Sequence, residues 1–171
     1  SAEEQAAFDV YDANNINPLY GFFVARAGLG ASESMRSKLA EYNDPRLSRA
    51  FITKQGTSGK EQAPGTADNA VYAPNGTPEQ GTSKYGTSLF MYSISAPTLL
   101  LSYHELKFLE AEALCRLERD AKSALKDAVV AGLLNAENSF TISRKELGKT
   151  LINAASSITE AEAESYFDNT I

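Results

Sequence analysis

The segment that most constrains the fold runs from Pro97 to Ala113 and reads PTLLLSYHELKFLEAEA. Proline cannot lie in a helix interior, and Ser102 followed three residues later by Glu105 is the capping-box pattern of a helix start. We therefore predict that a helix begins at Ser102. Apolar residues that recur at helical spacing predict that one face of this helix packs on a core. They are Leu106, Leu109, Ala113, Leu114 and Leu117.

A second helix is predicted directly after the first. Asp120 can cap it, and small or apolar side chains repeat at three- and four-residue spacing over the next three turns. The connection from Glu118 to Asp120 is short, so the two helices are predicted to pack antiparallel as a hairpin of the tetratricopeptide kind. Two more capping boxes, Ser143-x-x-Glu146 and Thr159-x-x-Glu162, predict the starts of further helices.

The chain is predicted to be one segment of a larger domain, in three parts. Residues 1–53 are mixed with short helices: a first helical patch, then NPLYGFF as an extended or turning segment, then a capped helix from about Ser32 to Tyr42. Residues 54–96 form a loop-rich excursion with brief β-prone runs, and residues 97–171 are helical. The predicted fold class is mainly α, with helix-turn-helix hairpins and a long loop excursion that carries short strands.

Several motifs resemble those of a known family. The run P-T-x-L that leads into S-Y-x-E-x-x-F-L-x-A-E-A resembles the SusD/RagB-like family of glycan-binding outer-membrane lipoproteins, in particular its SusD-like branch. Three upstream motifs occur in the order that the resemblance implies: Asn17-Pro18-Leu19-Tyr20, Ser32-x-x-Met35-x-x-Lys38-Leu39, and Tyr42-Asn43-Asp44-Pro45-Arg46-Leu47. The resemblance covers nearly the whole chain, whereas members of the family are several times longer. We therefore expect an internal piece of a partial SusD-like fold.

This resemblance implies a function and a set of partners. It implies a non-catalytic protein of Gram-negative bacteria that binds oligosaccharide on the cell-surface side of the outer membrane. The implied partner is a SusC-like TonB-dependent transporter, to which the glycan is delivered for nutrient uptake. Contact with the membrane is expected only through a lipid anchor that lies outside this segment. An apolar face that other helices of the family fold would cover is expected to be exposed.

Composition excludes two other classes of function. The chain is 43% hydrophobic and 22% charged, which is typical of folded domains, and no apolar run approaches the roughly 18 residues of a membrane span. The net charge is −6, with basic residues interleaved among acidic ones, so a nucleic-acid-binding surface is not predicted.

The search for catalytic and metal chemistry finds no candidate. The chain has one histidine, His104, and one cysteine, Cys115, which lie about 16 Å apart along the same predicted helix. They cannot form a dyad, and a zinc site needs three or four ligands. Cys115 is interpreted as a small buried hydrophobe, and His104 as a neutral packing or surface residue. No cofactor is predicted, and the pattern GTSGK at residues 56–60 lacks the spacing of a phosphate loop.

Sugar binding needs simpler chemistry than catalysis. An aromatic ring can stack on the C–H face of a pyranose while amide and charged groups bind its hydroxyls. In the excursion, tyrosines stand beside such groups, and we expect at least one of these rings to be exposed. The predicted ligand-binding residues are Tyr72, Tyr85, Asn69, Asn75 and Lys84.

Two functions from different classes remain open at this point. A glycan-binding surface lipoprotein is favoured by the family resemblance. A helical-repeat protein-interaction module with no small-molecule ligand is favoured by the hairpin at Asp120 alone, because a hairpin of this kind needs no sugar site.

Overall fold

A computed structural model describes residues 5–26, 30–55, 60–62, 72–76, 85, 87–89, 93–147 and 156–171. Helices dominate these ranges, as the sequence predicted. The helices are α1 (Pro18–Arg26), α2 (Glu33–Glu41), α3 (Tyr103–Arg116), α4 (Lys122–Leu147) and α5 (Glu160–Thr170). The strands are β1 (Ala6–Phe8), β2 (Phe51–Gln55), β3 (Lys60–Gln62), β4 (Thr87–Ser88) and β5 (Thr98–Leu101).

The strands form two small antiparallel sheets. In one, β1 pairs with β5, so the start of the described chain lies beside the segment that leads into α3. In the other, β2 lies between β3 and β4. Strands β3 and β4 lie within the predicted loop-rich excursion and β2 and β5 border it, whereas β1 is distant from it in the sequence.

The predicted hairpin of α3 and α4 is confirmed. The Ser102 hydroxyl accepts a hydrogen bond from the Glu105 N–H at 3.2 Å, and the Glu105 carboxylate accepts one from the Ser102 N–H at 2.9 Å. The side chain of Asp120 accepts from the N–H of Lys122, the first residue of α4, at 2.9 Å. His104 at the start of α3 lies beside Gly132, and Lys107, about one turn further along α3, pairs with Asp127, which is nearer the start of α4, so the helices are antiparallel.

A long α4 replaces the separate helix that was predicted to begin at Ser143. Ser143 lies inside α4 and is 1% exposed, and its hydroxyl donates to the Leu89 carbonyl at 2.5 Å. Its predicted capping partner Glu146 instead accepts hydrogen bonds from the Ser93 hydroxyl and the Ile94 N–H. Both side chains therefore bind the segment before β5. The Thr159 box does begin a helix, because its hydroxyl accepts from the first turn of α5.

Two predictions for the first 53 residues are wrong. Ala6–Phe8 is a strand rather than part of a helical patch, because β5 offers it a pairing edge. The NPLYGFF segment forms α1, which has proline at its first position, where a missing N–H costs nothing. The Asn17 side chain accepts from the Leu19 N–H at 2.8 Å and thus caps this helix. The predicted helix from Ser32 to Tyr42 is confirmed as α2, with those two residues as its caps.

The core is centred on α4. Its buried members come from the α2 region, the start of β2, the excursion, α4 and the α5 region: Ala31, Leu39, Ala50, Phe51, Tyr72, Leu89, Leu133, Ala136, Phe140, Ile158 and Ala163. Phe140 and Leu89 are fully buried. Since Ile158 and Ala163 belong to this cluster, α5 is packed onto the same core as α2.

The apolar stripe of α3 does not pack on this core. Leu106, Leu109 and Leu117 are 52%, 57% and 65% exposed, so their predicted burial is wrong. Cys115 is exposed as well, which corrects its interpretation as a buried residue. The small Ala111 is buried instead, because the opposite side of α3 contacts α4. An exposed apolar face, which was also predicted, therefore lies on α3.

Candidate functional site

The predicted stacking residues Tyr72 and Tyr85 are 8% and 7% exposed. The Tyr72 ring meets the Phe51 ring edge-on, with centroids 5.3 Å apart, and the Arg36 guanidinium lies 5.7 Å from its centroid. The expectation that at least one of the two tyrosines is exposed is wrong, because burial of these large rings in the core removes apolar surface from water.

Asn75 is exposed, and it binds the start of α2. Its amide N–H donates to the Ser34 hydroxyl at 2.7 Å, and its carbonyl oxygen accepts from the Ser32 hydroxyl at 3.1 Å. The structure therefore brings Tyr72 and Asn75 to α2. Asn69 and Lys84 lie outside the described residues. A role of these residues in binding stays a prediction.

A cleft of about 480 Å³ lies along α4, and we refer to it as the α4 cleft. Half-buried apolar side chains of Val130, Ala131 and Leu134 form its floor. The first turn of α3 forms one wall and the first turns of α5 form the other. Its volume is within the range of small-molecule sites, about 300–1,000 Å³.

Amide and aromatic groups line the α4 cleft above this floor. Asn135 is half-buried and Asn138 is exposed, and within the described part of the chain neither side-chain amide makes a hydrogen bond. The Tyr103 ring also lines the cleft, with the Lys107 ammonium 5.8 Å from its centroid. The side chain of Gln5 accepts from the Tyr103 N–H. The cleft thus combines an apolar surface with amides that can bind hydroxyl groups.

The charges around the α4 cleft are mainly negative. Asp127, Glu160 and Glu164 line it together with the ammonium of Lys126, and Asp127 is paired with the Lys107 ammonium at 3.6 Å. The Asp168 carboxylate accepts from Lys126 at 2.9 Å and raises the pKa of this ammonium, so its charge is already paired. The field in the cleft therefore favours neutral or positively charged ligands.

His104 lines the same cleft at the start of α3. One ring nitrogen, Nε2, lies 3.2 Å from the Ser102 hydroxyl, whereas Nδ1 is buried and has no hydrogen-bond partner among the described residues. This position fits a packing residue, as the sequence suggested.

The sequence did not lead us to the α4 cleft. A signal is present, because Asp127, Asn135 and Asn138 fall on one side of α4 beside its apolar stripe. Polar residues at helical spacing are ordinarily interpreted as a solvent-exposed face. The cleft can be recognised only in the tertiary structure, where α3 and α5 flank these residues of α4.

Two negative observations apply to the described ranges. They contain no group of three or more His, Cys, Asp or Glu side chains that could hold a metal ion. No helix within them has the length and the apolar character needed to cross a membrane.

The chain matches a known family along most of its length. Residues 1–138 match the SusD-like family described as starch-binding and associating with the outer membrane. No curated protein matches the chain.

Solved structures have the same fold. A SusD/RagB family protein from Bacteroides thetaiotaomicron is 59% identical, with a TM-score of 0.90 over 99% of this chain and 36% of its own. A SusD homolog from Bacteroides fragilis is 20% identical, with a TM-score of 0.68 over 99% of this chain and 37% of its own. A chitin-binding protein is 18% identical, with a TM-score of 0.62 over 98% of this chain and 35% of its own.

This chain thus spans about a third of the length of these solved relatives. The two more distant structures support the fold alone. The family match and the relative with 59% identity establish family membership as well as the fold. The chain belongs to the SusD/RagB-like family of outer-membrane-associated glycan-binding proteins, in its SusD-like branch.

Proposed function

We propose that the protein is a non-catalytic lipoprotein of nutrient uptake, which binds oligosaccharide on the cell-surface side of the outer membrane. It passes the oligosaccharide to a SusC-like TonB-dependent transporter. The observation that carries this proposal is the family match over residues 1–138, whose description names starch binding and the outer membrane. The identity of 59% to a SusD/RagB family protein supports it.

Calorimetry on the purified protein tests the binding step. We expect heat of binding with at least one class of soluble oligosaccharide and no release of shorter sugars on prolonged incubation. Product formation would contradict the non-catalytic role. Absence of binding across neutral, amino-bearing and acidic oligosaccharides would contradict the function itself.

Three experiments test delivery, cell-surface location and lipid anchoring. The protein is expected to co-purify with a TonB-dependent transporter from detergent-solubilised outer membranes, and protease added to intact cells is expected to degrade it. A metabolic label for lipoproteins is expected to enter the full-length protein. Protection from protease in intact cells would contradict the cell-surface location.

The five predicted residues of the excursion remain the proposed contacts for glycan: Tyr72, Tyr85, Asn69, Asn75 and Lys84. Replacement of both tyrosines by alanine tests the proposed stacking, and should weaken binding by about 1 kcal/mol per ring. Because both rings are buried, the free energy of unfolding has to be measured on the same variant. Unchanged affinity in a folded variant would remove the rings from the site.

The exposed face of α3 favours a second candidate function, a protein-interaction module without a small-molecule ligand. Leu106, Leu109 and Leu117 present apolar surface that a protein partner could cover. If this candidate is correct, replacement of these leucines by serine should remove the co-purifying protein partner, and the unmodified protein should bind no oligosaccharide. Unchanged association with the partner in the serine variant would remove this candidate.

A further inference from the structure

We propose that the α4 cleft is an oligosaccharide-binding site, separate from the excursion, that selects sugars carrying amino groups over acidic sugars. This inference rests on the proposed function, since it names a site and a ligand class for a glycan-binding protein. It depends on three features of the cleft: its shape, its unused amides and its charge.

The first feature is shape. The floor of Val130, Ala131 and Leu134 lies on α4, and the cleft extends along this helix from Asp127 to Asn138. At the rise of an α-helix this is about 16 Å, so the cleft is an elongated groove rather than a round pocket. An apolar floor can bind the C–H faces of sugar rings, and a groove of this form suits a linear chain of them.

The second feature is hydrogen bonding. In other parts of the described fold, Asn17, Asn75 and Asn169 use their amide N–H groups to bind the protein itself. The amides of Asn135 and Asn138 bind no described residue. Each amide offers an acceptor and two donors, which matches the donor and acceptor character of sugar hydroxyls. A neutral polyhydroxyl ligand would therefore satisfy groups that the fold leaves unused.

The third feature is charge. Glu160 has no ion-pair or hydrogen-bond partner among the described residues, and Glu164 lies one turn further along the same helix. The single ammonium of the cleft, on Lys126, is bound by Asp168. A carboxylate or sulfate on a sugar would meet these acidic groups and no unpaired cation, whereas a protonated amine would meet complementary charge.

The experiment compares three probes by calorimetry on the intact protein: neutral gluco-oligosaccharides, glucosamine oligosaccharides, and galacturonate oligosaccharides of equal length. We expect the glucosamine probe to bind most tightly and the galacturonate probe most weakly. The preference should shrink as salt is raised, because the glutamates are exposed and their field is screened. Equal or tighter binding of the galacturonate probe would overturn the ligand class.

Variants connect this binding to the α4 cleft. Asn135→Ala with Asn138→Ala should weaken binding about tenfold, since a few net hydrogen bonds are lost. Ala131→Trp should block the floor and weaken binding at least as much. Glu160→Gln with Glu164→Gln should reduce the preference for the amino sugar while the neutral probe keeps its affinity. The matched control is Asn14→Ala, which removes an exposed amide outside the cleft.

Circular dichroism and the melting temperature confirm that each variant is folded, and Asn138→Ala alone is a mild second variant because its side chain is exposed. If the protein binds oligosaccharide and the cleft variants bind it as tightly as the unmodified protein, the cleft proposal is overturned and the proposed function stands. If no oligosaccharide binds the unmodified protein, both fail.

Discussion

A buried ion pair within α4 provides the sharpest test of how this fold is held together. The Glu137 and Arg144 side chains are 9% and 13% exposed, and they form a direct salt bridge. Thr141 donates to the same carboxylate at 3.0 Å, and the backbone N–H of Ile158 donates to its second oxygen at 3.0 Å. Glu137 therefore both neutralises Arg144 and fixes the chain that leads into α5.

The change Glu137→Ala should destabilise the protein by about 3–5 kcal/mol, because it leaves a buried guanidinium without its counter-charge. The Ile158 N–H would lose its acceptor as well, and that cost of about 1–3 kcal/mol is part of this total. The matched control is Glu112→Ala, which removes the acid of an ion pair whose members are 54% and 77% exposed. This control should cost less than about 1 kcal/mol.

Equilibrium urea unfolding measures both changes, and a fall in melting temperature of roughly 6–20 °C should accompany Glu137→Ala. Arg144→Met in the Glu137→Ala background should recover part of the loss, because the uncompensated charge is gone. A cost for Glu137→Ala that equals that of Glu112→Ala would refute the reasoning. It would mean that water solvates the Arg144 guanidinium, or that another carboxylate pairs with it, at little cost in stability.

Three further predictions concern the α3–α4 hairpin. Ser102→Ala should cost about 1 kcal/mol in urea unfolding, because the first turn of α3 loses its cap, and a gain in stability would contradict the capping role. The hydrogen bond from the Ser102 N–H lowers the pKa of Glu105 below its ordinary value of 4.5. The stabilisation from Glu105 is therefore present above about pH 4.5 and is lost as the pH falls through the lower folded pKa. Over this pH range, the free energy of unfolding of the Glu105→Gln variant should depend less on pH than that of the unmodified protein. Gly132→Ala should stabilise α4 by about 0.5–1 kcal/mol, because glycine is unfavourable inside a helix. The added methyl would fit, since it would lie no closer than 3.9 Å to His104. Destabilisation in urea unfolding would mean that the two helices approach more closely.

Local patterns predicted helix starts where the capping groups are close in sequence. At Ser102, Asp120 and Thr159 the side-chain acceptor and the N–H that it binds are two or three residues apart. Such a hydrogen bond depends little on tertiary contacts, so the helix start can be predicted from the sequence. The start of α1 has an equally local signal, with Asn17 before Pro18, and it was missed because aromatic residues and glycine follow.

The capping-box pattern gave a wrong helix start where its side chains bind groups that are distant in the sequence. Ser143 and Glu146 have the spacing of a capping box, yet the serine binds the Leu89 carbonyl, 54 residues away, and the glutamate binds the segment at Ser93. A helix that is already continuous keeps its backbone hydrogen bonds through Ser143. The hydroxyl was then free to satisfy a carbonyl on the segment packed against it.

The sequence by itself determined the helical class, the α3–α4 hairpin and the family, because capping, spacing and motif order are local properties. Only the tertiary structure decided which faces are buried. The apolar stripe of α3 is exposed, whereas Tyr72 and Tyr85 are covered. Burial depends on which residues meet across long separations in the chain, and a helical pattern specifies an apolar face without specifying what covers it. For the same reason the α4 cleft, assembled from three helices, could not be recognised from the polar residues of α4 alone.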